Sequence, residues 1–478
     1  MSLSGEELEK GQAQLQRLVS NHFFQNTHAR DLPTFDSSEI GIGPRLGVGG
    51  FGVVCEVQRI KLEPGSGGDH NDSGRQPSIV TQQRSTSAGG TFEEEDTQHK
   101  LQSIRDRDAD AILIEADLGS LTELNGVDQH DYHYNLIPTA ARTFMAEHCL
   151  RDGDARYAIK RLKPDLSDKD KLYGVKDLAI EAKFLAVVSH PNIIKMRGTA
   201  STDSLRYDFF IILDRLYETL DERIDVWAEQ EKQFVGCCAG MWGANKEELT
   251  SLRLERITAL YDLSKAMAYL HENNIIYRDM KPENLGFDVR GTFKLFDFGL
   301  SRVLQKKDKL KDGTYKLTGR TGSLCYMAPE IALCKPYNLT ADVFSFATLT
   351  WQVLELRTPF ESFTPRDYMT QVCERGYRPS IPSKWPVPLR EAMKDSWKAD
   401  LAERPDFTRV SNVLRGQMRD MADAGRASIH QRTTHMMNRS NRSQRNLMRS
   451  ISKETENSVP RIVDRSIEEG GGGDRQED

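Results

Sequence analysis

A glycine-punctuated stretch near the N-terminus has residue types and spacing suited to holding phosphate groups. From Gly47 onward it reads G-x-G-x-x-G-x-V. Glycine lets a backbone turn approach phosphate oxygens closely and point N–H groups at them. Dinucleotide-binding folds use the same spacing, but no acidic residue follows a crossover helix about 20 positions later, as such a site requires. Taken alone, the stretch is equally consistent with a phosphate cradle and an ordinary turn. Its candidate residues are Leu46, Gly47, Val48, Gly49, Gly50, Phe51, Gly52 and Val54.

Four further motifs follow along the chain. They are a Val-Ala-Ile-Lys-like strand ending at Lys160, then Tyr277–Asn284, Asp297–Gly299 and Ala328–Glu330. Asp279 precedes Asp297 by 18 positions, and Asn284 precedes it by 13. In motif order and spacing the chain closely resembles the eukaryotic protein kinases, over roughly residues 38–418. The resemblance implies an ATP-dependent protein kinase that uses Mg²⁺.

The resemblance also implies which residues bind the nucleotide. Lys160 would hold the phosphates of ATP from a rigid strand, and Ala158 lies two residues before it. Glu181, 21 residues after Lys160 in a helical stretch, would hold the lysine ammonium in place. Asp214 and Leu216 lie in the expected hinge, whose backbone would hydrogen-bond adenine.

The second group of site residues would act on the substrate hydroxyl and the metal. By resemblance, Asp279 accepts the hydroxyl proton and orients the oxygen for attack, and Lys281 lies near the γ-phosphate. Asn284 and Asp297 match the metal-binding positions, and their oxygen ligands suit Mg²⁺. Lys281 in a D-x-K-x-x-N sequence, with Ser323 before Ala-Pro-Glu, is typical of the serine/threonine members. We therefore expect phosphorylation of Ser and Thr in protein substrates.

Two other classes of function compete with this interpretation. A kinase-shaped scaffold, or pseudokinase, would lack a base, metal ligand or phosphate clamp, whereas all of these residue types are present. A small-molecule kinase of related fold is disfavoured by the Ala-Pro-Glu segment. Gly286 departs from the family pattern, because a leucine usually lies there beneath adenine. Either Phe287 or a neighbour fills that space, or the floor of the pocket is more open.

The resemblance implies that an α+β, two-lobed protein kinase fold positions these residues. A small N-lobe, with a five-stranded antiparallel sheet and one helix, should extend to about residue 215. A larger, mainly helical C-lobe should occupy residues 216–418. Glycines among β-branched residues indicate a hairpin between Glu39 and Ile60. Apolar residues recur with helical period in Val175–Ser189, Leu252–His271 and Asp342–Leu356.

Three segments fall outside this pattern: an N-terminal extension (1–37), an insert (about 62–152) and a C-terminal tail (419–478). Residues 61–152 contain 8 Lys or Arg against 17 Asp or Glu, and the first half of the insert is poor in apolar residues. Such composition favours disorder. The insert could dock a partner or have no specific role. The Arg/Ser-containing tail could contact anionic lipid or nucleic acid, or stay solvated.

Composition limits the location and the partners. The net charge of −6 argues against nucleic-acid binding, and no apolar run is long enough to span a membrane. Seven scattered cysteines without a C-x-x-C pair favour a reducing compartment, so we expect an intracellular, cytoplasmic protein. Arg278, beside the base position, predicts activation by an upstream kinase through phosphate on Thr318 or Thr321, with Arg302 as a second cation.

Overall fold

The computed structural model describes residues 29–62, 129–236 and 244–423, together with residues 9 and 13. Most of the N-terminal extension, most of the insert and nearly all of the C-terminal tail lie outside these residues. The chain divides into two compact units. Unit 1 comprises Met1–Glu218 and Gly286–Gln305, and unit 2 comprises Thr219–Leu285 and Lys306–Asp478.

A β-sheet forms the framework of unit 1. The sheet contains the five antiparallel strands that the sequence predicts and a sixth strand, β1, parallel to β7 at one edge, in the order β1-β7-β8-β6-β3-β2. The α+β prediction is thereby confirmed. The strands up to β8 are β1 (Thr34–Phe35), β2 (Ile40–Val48), β3 (Gly52–Ile60), β4 (Leu150–Arg151), β5 (Asp154–Ala155), β6 (Tyr157–Leu162), β7 (Met196–Ala200) and β8 (Phe210–Asp214).

Strand β3 shows why these residues form a sheet. Val53, Cys55 and Val57 are buried, while the residues between them are partly exposed, the alternation of a half-buried strand. The predicted hairpin corresponds to β2 and β3. Strand β6 pairs with β3 on one side and β8 on the other, so its residues are fixed from both edges. This central place makes β6 a rigid support for a functional side chain.

Within residues 129–218 the structure describes two helices of unit 1, one more than the single helix that the resemblance implies. Helix α1 (Gln129–Glu147) forms part of the predicted insert, and helix α2 (Asp168–Val187) contains most of the predicted helix Val175–Ser189. Ser167 caps α2 by accepting a hydrogen bond from the N–H of Asp170. The helix therefore begins at Asp168, before the predicted start at Val175. Met145 of α1 and Cys149 just after it are buried, and the Cys149 thiol donates to the Val57 carbonyl oxygen of β3. The last part of the insert is therefore packed on the sheet.

We expect deletion of residues 65–135 to leave a folded protein, because the buried side chains Met145 and Cys149 remain. The melting temperature should stay within about 4 °C of wild type, the shift that about 1 kcal/mol produces in a domain of this size. Deletion of residues 65–150 removes these packed residues and serves as the comparison, with a clearly larger loss. Aggregation of the shorter deletion alone would show that the insert supplies part of the core.

Unit 2 is mainly helical. Its described helices are α3 (Leu220–Gly236), α4 (Ala244–Glu272), α5 (Pro329–Ala332), α6 (Thr340–Glu355), α7 (Pro365–Asp367), a π-helix (Tyr368–Glu374), α8 (Val387–Ser396) and α9 (407–423). The predicted helices Leu252–His271 and Asp342–Leu356 correspond to α4 and α6. Every residue of α6 from Ala341 to Leu354 is buried, so this helix forms the centre of the unit. None of the described helices is long and apolar enough to cross a bilayer.

Shorter elements connect these helices and strands. The short strands are β9 (Glu218–Thr219), β10 (Ile275–Ile276), β11 (Leu285–Phe287), β12 (Phe293–Leu295) and β13 (Arg302–Val303). Single 3-10 turns occur at Ser37–Glu39, Pro282–Asn284, Lys306–Asp308, Leu324–Tyr326 and Leu401–Glu403. The catalytic-loop candidates lie between β10 and β11, and Asp297 follows β12. Both sets of residues therefore lie in loops held at each end by a strand.

Candidate active site

Three of the predicted site residues lie together in unit 1. The Nζ atom of Lys160 is 2.6 Å from Glu181 Oε2 and 3.3 Å from Asp297 Oδ1. Lys160 lies in the doubly paired strand β6, opposite Val54, and Glu181 lies within α2. The Glu181 side chain is 2% exposed, whereas that of Asp297 is 39% exposed. One ammonium group thus joins a buried carboxylate to an accessible one.

Burial and charge shift the pKa values of this pair. Burial raises the pKa of Glu181 to about 7, although the nearby Lys160 opposes the shift. Burial lowers the pKa of Lys160, but Asp297 and Glu181 more than offset this, so the pKa lies above its ordinary value. Lys160 is therefore a permanent cation near neutral pH, and Glu181 is the group that titrates.

We expect the reaction rate and nucleotide affinity to fall as the pH drops through about 7, because protonated Glu181 no longer holds Lys160 as an ion pair. Stability should respond in the opposite direction. A carboxyl with a raised pKa binds its proton more tightly when folded, so its contribution to stability is lost as the pH rises from its ordinary pKa of 4.5 towards 7. Nucleotide affinity measured against pH checks this, with Glu181→Gln as control. An equally steep low-pH loss in Glu181→Gln would assign the titration to another group.

The glycine-rich stretch forms the turn between β2 and β3. It is closed by a hydrogen bond from the Gly49 N–H to the Gly52 carbonyl oxygen, 2.9 Å long. A Cβ atom added at Gly47 or Gly50 would meet no described atom within 4 Å, and at Gly49 only the Gly52 oxygen at 3.9 Å. Neither positive φ nor internal packing therefore requires these glycines. The space beside the turn fits the close approach of a phosphate chain.

Phe51, at the tip of this turn, packs against helix α2. Its ring stacks near Tyr173, with 6.4 Å between centroids. A Cβ at Gly174 would lie 2.8 Å from Phe51 Cβ and 2.7 Å from a methyl carbon of Leu162. Glycine inside a helix costs about 1 kcal/mol relative to alanine, and this contact explains its presence here. The sequence analysis missed Gly174, although an isolated glycine in a helical pattern is a signal of close packing.

The predicted hinge follows β8. Ala158 is buried opposite Leu213 in the sheet, and the Asp214 carboxylate forms two hydrogen bonds with the Arg197 guanidinium, at 2.6 and 3.1 Å. The Asp214 side chain is thus committed to the protein. We therefore expect Asp214 to contact a base through its backbone.

The space at Gly286 is closed rather than open. A Cβ there would lie 2.7 Å from the Glu218 carbonyl oxygen and 3.1 Å from Leu216 Cδ1. No side chain fits without a shift of backbone. Of the possibilities that the sequence left open, the structure places a neighbour, Leu216, in the gap rather than Phe287, whose ring packs edge-on against Phe293.

The remaining site residues lie together in unit 2. Asn284 Nδ2 donates to the carbonyl oxygen of Asp279 at 2.9 Å and to its Oδ2 at 2.8 Å. Lys281 Nζ lies 3.3 Å from the same Oδ2. The Ser323 hydroxyl and N–H both donate to Oδ1, at 3.2 and 3.1 Å. Asp279 is thereby fixed as an acceptor in a polar cluster with a cation beside it.

Buried Asp342 of α6 braces this loop. Its Oδ2 accepts the Tyr277 N–H and its Oδ1 accepts the Arg278 N–H, each at 2.9 Å. Arg278 has a φ of 73°, a conformation that L-residues seldom adopt, and these two bonds help to hold it. Gly322 approaches the same turn. A Cβ there would lie 2.3 Å from the Arg278 carbonyl oxygen, so only glycine fits.

The Arg278 side chain points to the stretch of unit 2 that contains Thr318 and Thr321, which we call the activation segment. It is buried and donates to the Thr318 hydroxyl at 3.0 Å and to the Tyr337 hydroxyl at 3.1 Å. Tyr337, which no sequence pattern singled out, also donates to the Thr318 carbonyl oxygen at 2.8 Å. Arg302 lies in unit 1, where its guanidinium donates to the Ser301 carbonyl oxygen at 3.1 Å. Thr318 is thus held at the Arg278 guanidinium.

The donor chemistry of the two metal candidates fits Mg²⁺. Asn284 uses its amide nitrogen on Asp279, which leaves the hard carbonyl oxygen Oδ1 as its remaining acceptor. Asp297 keeps an accessible carboxylate beside Lys160. Mg²⁺ is typically held by one or two protein oxygens together with substrate phosphates and water.

Comparison with known proteins agrees with this geometry. The family model described as protein tyrosine and serine/threonine kinase matches residues 144–414, more than half of the chain. The chain belongs to this family. The serine/threonine-protein kinase STY17 of Arabidopsis thaliana is 31% identical over 59% of the chain, and the serine/threonine-protein kinase VIK of the same plant is 33% identical over 54%. The dual specificity protein kinase shkA of Dictyostelium discoideum is 34% identical over 34% of the chain.

The matches cover only part of each relative. They span 43% of the length of STY17, 53% of VIK and 31% of shkA. The shared part of this kinase begins at residue 144 in the family match, after the glycine-rich turn and most of the insert.

Proposed function

We propose that this chain is an ATP-dependent protein serine/threonine kinase. It would transfer the γ-phosphoryl group of Mg-ATP to hydroxyl groups of proteins. The observation that carries the proposal is the 2.6 Å ion pair between Lys160 and Glu181, with Asp297 at 3.3 Å from the same ammonium. This arrangement combines a fixed cation for phosphates with an accessible carboxylate for a metal.

Each residue has a separate task in this proposal. Lys160 binds phosphate oxygens, and Glu181 keeps its ammonium from moving. Bound Mg²⁺ ions would neutralise phosphate charge, with Asp297 of unit 1 and Asn284 of unit 2 each proposed as an oxygen ligand. Asp279 accepts a hydrogen bond from the substrate hydroxyl and orients its oxygen, while Lys281 adds positive charge beside it.

A scaffold without activity is the less favoured alternative, because the phosphate clamp, base position and metal candidates are all present and paired. Lys281 and Ser323, both in contact with Asp279, support serine and threonine as acceptors. Proteins with exposed Ser or Thr are the proposed substrates. The family match also covers tyrosine kinases, and phosphoamino-acid analysis of the product distinguishes the acceptors.

The decisive experiment is transfer of radiolabelled phosphate from ATP to generic protein substrates with Mg²⁺. Wild type should label Ser and Thr far above Asp297→Ala, and phosphoamino-acid analysis reports the acceptor. Asp420→Ala, which changes an exposed aspartate of unit 2, controls for loss of a carboxylate elsewhere. Equal labelling by wild type and Asp297→Ala would favour the scaffold.

We propose residues 38–418 as the kinase domain, with an N-lobe to about 215 and a C-lobe at 216–418. Helix α9 continues to residue 423, so the last helix extends into the proposed tail. The five free cysteines found among the described residues favour an intracellular, cytoplasmic location. We propose no specific nucleic-acid partner. An upstream kinase is proposed to phosphorylate the activation segment.

Phosphorylation of Thr318 is expected to raise activity. Thr318 is an exposed residue whose hydroxyl accepts a hydrogen bond from Arg278, so a phosphate there forms charge-assisted bonds with a buried guanidinium. Thr321 is less accessible and donates to the Thr318 carbonyl oxygen. After phosphatase treatment and incubation with ATP or an upstream kinase, activity should recover in Thr321→Ala more than in Thr318→Ala. Full activity of the phosphate-free double variant would make Arg278 a purely structural residue.

A further inference from the structure

The N-terminal segment before β2 contacts the end of the helix that bears Glu181. We call residues 30–39 the N-terminal clamp. They precede the family match at residues 144–414. The Arg30 N–H donates to the Ala186 carbonyl oxygen at 3.0 Å, and its guanidinium donates to the carbonyl oxygens of Leu185 and, at 3.2 Å, Val188.

These hydrogen bonds cap the C-terminal end of helix α2. The last carbonyl groups of a helix lack partners within it, and the C-terminal end of the helix dipole attracts a cation. The last turn of α2, which the structure describes in full, contains no basic residue of its own. Arg30 therefore supplies, from a segment more than 150 positions away, the cation and donors that this end of the helix lacks.

The rest of the clamp is anchored to the sheet. The N–H groups of Thr199 and Ser201 donate to the carbonyl oxygens of Pro33 and Phe35 at 3.1 and 2.9 Å, and Phe35 is fully buried. The Phe35 ring packs so closely against Gly198 of β7 that no larger residue fits at that position. A Cβ at Gly198 would be 2.8 Å from its ring and 2.9 Å from the Pro33 oxygen.

A second anchor comes from helix α1. The Arg142 guanidinium lies 5.0 Å from the centre of the Phe35 ring and 2.6 Å from the carboxylate of Glu39, which is 1% exposed. Sheet, insert helix and clamp thus hold one another. The position of Arg30 is consequently set by packing rather than by a freely moving terminus.

Leu185 lies four residues, about one helical turn, after Glu181. Fixing the carbonyl groups at this turn fixes the rotation of α2 and with it the direction of the Glu181 side chain. We infer that Arg30 is a positioning residue that holds Glu181 against Lys160, and that the N-terminal clamp is a working part of the kinase domain. The inference rests on the proposed function only where turnover is measured.

The test compares Arg30→Ala, Arg30→Lys and Gly198→Ala with wild type. Arg59→Ala is the matched control, since Arg59 is exposed on β3 and has no side-chain hydrogen bond or ion pair among the described residues. Two kinds of measurement are made on each variant. The first, which needs no turnover, comprises hydrogen–deuterium exchange of the α2 amides and the affinity for an ATP analogue. The second is steady-state kinetics, giving kcat and the KM for ATP. Circular dichroism confirms that each variant is folded.

We expect faster exchange in α2 and about tenfold loss in kcat/KM for ATP in Arg30→Ala and Gly198→Ala, the size of a small misplacement of a catalytic group. Arg30→Lys should recover part of both, and KM for the protein substrate should not change. Arg30→Ala behaving like Arg59→Ala in exchange and in nucleotide affinity would overturn the inference. If wild type transfers no phosphate, the proposed function fails, and exchange and affinity still decide the role of Arg30.

Discussion

Replacing Asp279 with Asn is expected to lower kcat by about 10²–10⁴-fold, the range that a positioned general base contributes. Asparagine preserves the size of the side chain, and its oxygen can still accept the Ser323 hydrogen bonds, but its NH2 group cannot accept from Asn284 as Oδ2 does. The loop should still keep its structure, because Asp342 continues to accept the N–H groups of Tyr277 and Arg278. What disappears is the negative charge that accepts the substrate hydroxyl. Turnover of the purified variant, with KM measured separately, checks this result.

Lys160→Met should cause a loss of similar size through a different group. Its substitution removes the cation that Glu181 and Asp297 share. The fold should tolerate the change, because Glu181 already has a pKa raised by burial to about 7 and can take up a proton once Lys160 is gone.

Matched controls separate these effects from general damage. Lys183→Met changes an exposed lysine on the same helix as Glu181, and Asp420→Asn changes an exposed aspartate of unit 2. Both should retain wild-type turnover. Wild-type turnover in folded Asp279→Asn or Lys160→Met would refute the assignment of the site.

The sequence was sufficient to predict the parts of the protein whose signal is local. Helices α2, α4 and α6 repeat apolar residues with helical period, and the β2–β3 hairpin combines glycines with β-branched residues, so each could be located. The bounds of α6 and of the hairpin were predicted within two residues, whereas α2 and α4 begin 7 and 8 residues before their predicted starts. The pairing of Lys160 with Glu181 was also predicted, because the motifs identify which residue of the strand and which residue of the helix should face each other. In the structure the two side chains form a hydrogen bond.

The clamp could not be predicted because its signal is not local. Strand β1 contains only Thr34 and Phe35, too few for an alternating pattern, and both precede the predicted start of the domain at residue 38. Helix α1 has a proline, Pro138, in its interior, which in a sequence argues against a continuous helix. The Glu39–Arg142 pair joins residues 103 positions apart, and such contacts follow from packing rather than from any periodicity.

Gly286 shows a different limit. The sequence revealed that a leucine was missing, but not which group would occupy its place. The answer lies in how closely the chain after the hinge approaches, with the Glu218 oxygen 2.7 Å from where a Cβ would be. A distance between backbones depends on the length and path of a loop. Neither is encoded in the residue that accommodates it.

The largest expected loss of stability comes from a buried ion pair in unit 2. Arg404 donates to both carboxylate oxygens of Glu330, at 2.6 and 3.0 Å, and its side chain is 0% exposed. It also donates to the carbonyl oxygens of Lys398 and Thr340, at 2.9 and 3.1 Å. Its guanidinium therefore joins α5 to the start of α6 and to the turn before α9.

Arg404→Ala should lower the free energy of unfolding by about 3–5 kcal/mol, because it leaves the Glu330 carboxylate buried without its partner. Glu330→Ala should cost a similar amount for the reverse reason. The double variant should cost less than the sum of the two, since neither charge is then left alone. Urea unfolding of the three variants gives each term of this comparison.

Arg409→Ala provides the matched control within the same unit. Arg409 also donates to a carboxylate oxygen, that of Asp395 at 3.0 Å, but its side chain is 59% exposed. Water already solvates both partners, so the loss should stay within about 1 kcal/mol. The two arginines differ mainly in burial, and burial is the quantity under test. If Arg404→Ala cost no more than Arg409→Ala, burial of the unpaired Glu330 carboxylate would not be a source of instability, and the buried ion pair would contribute no more than an exposed one.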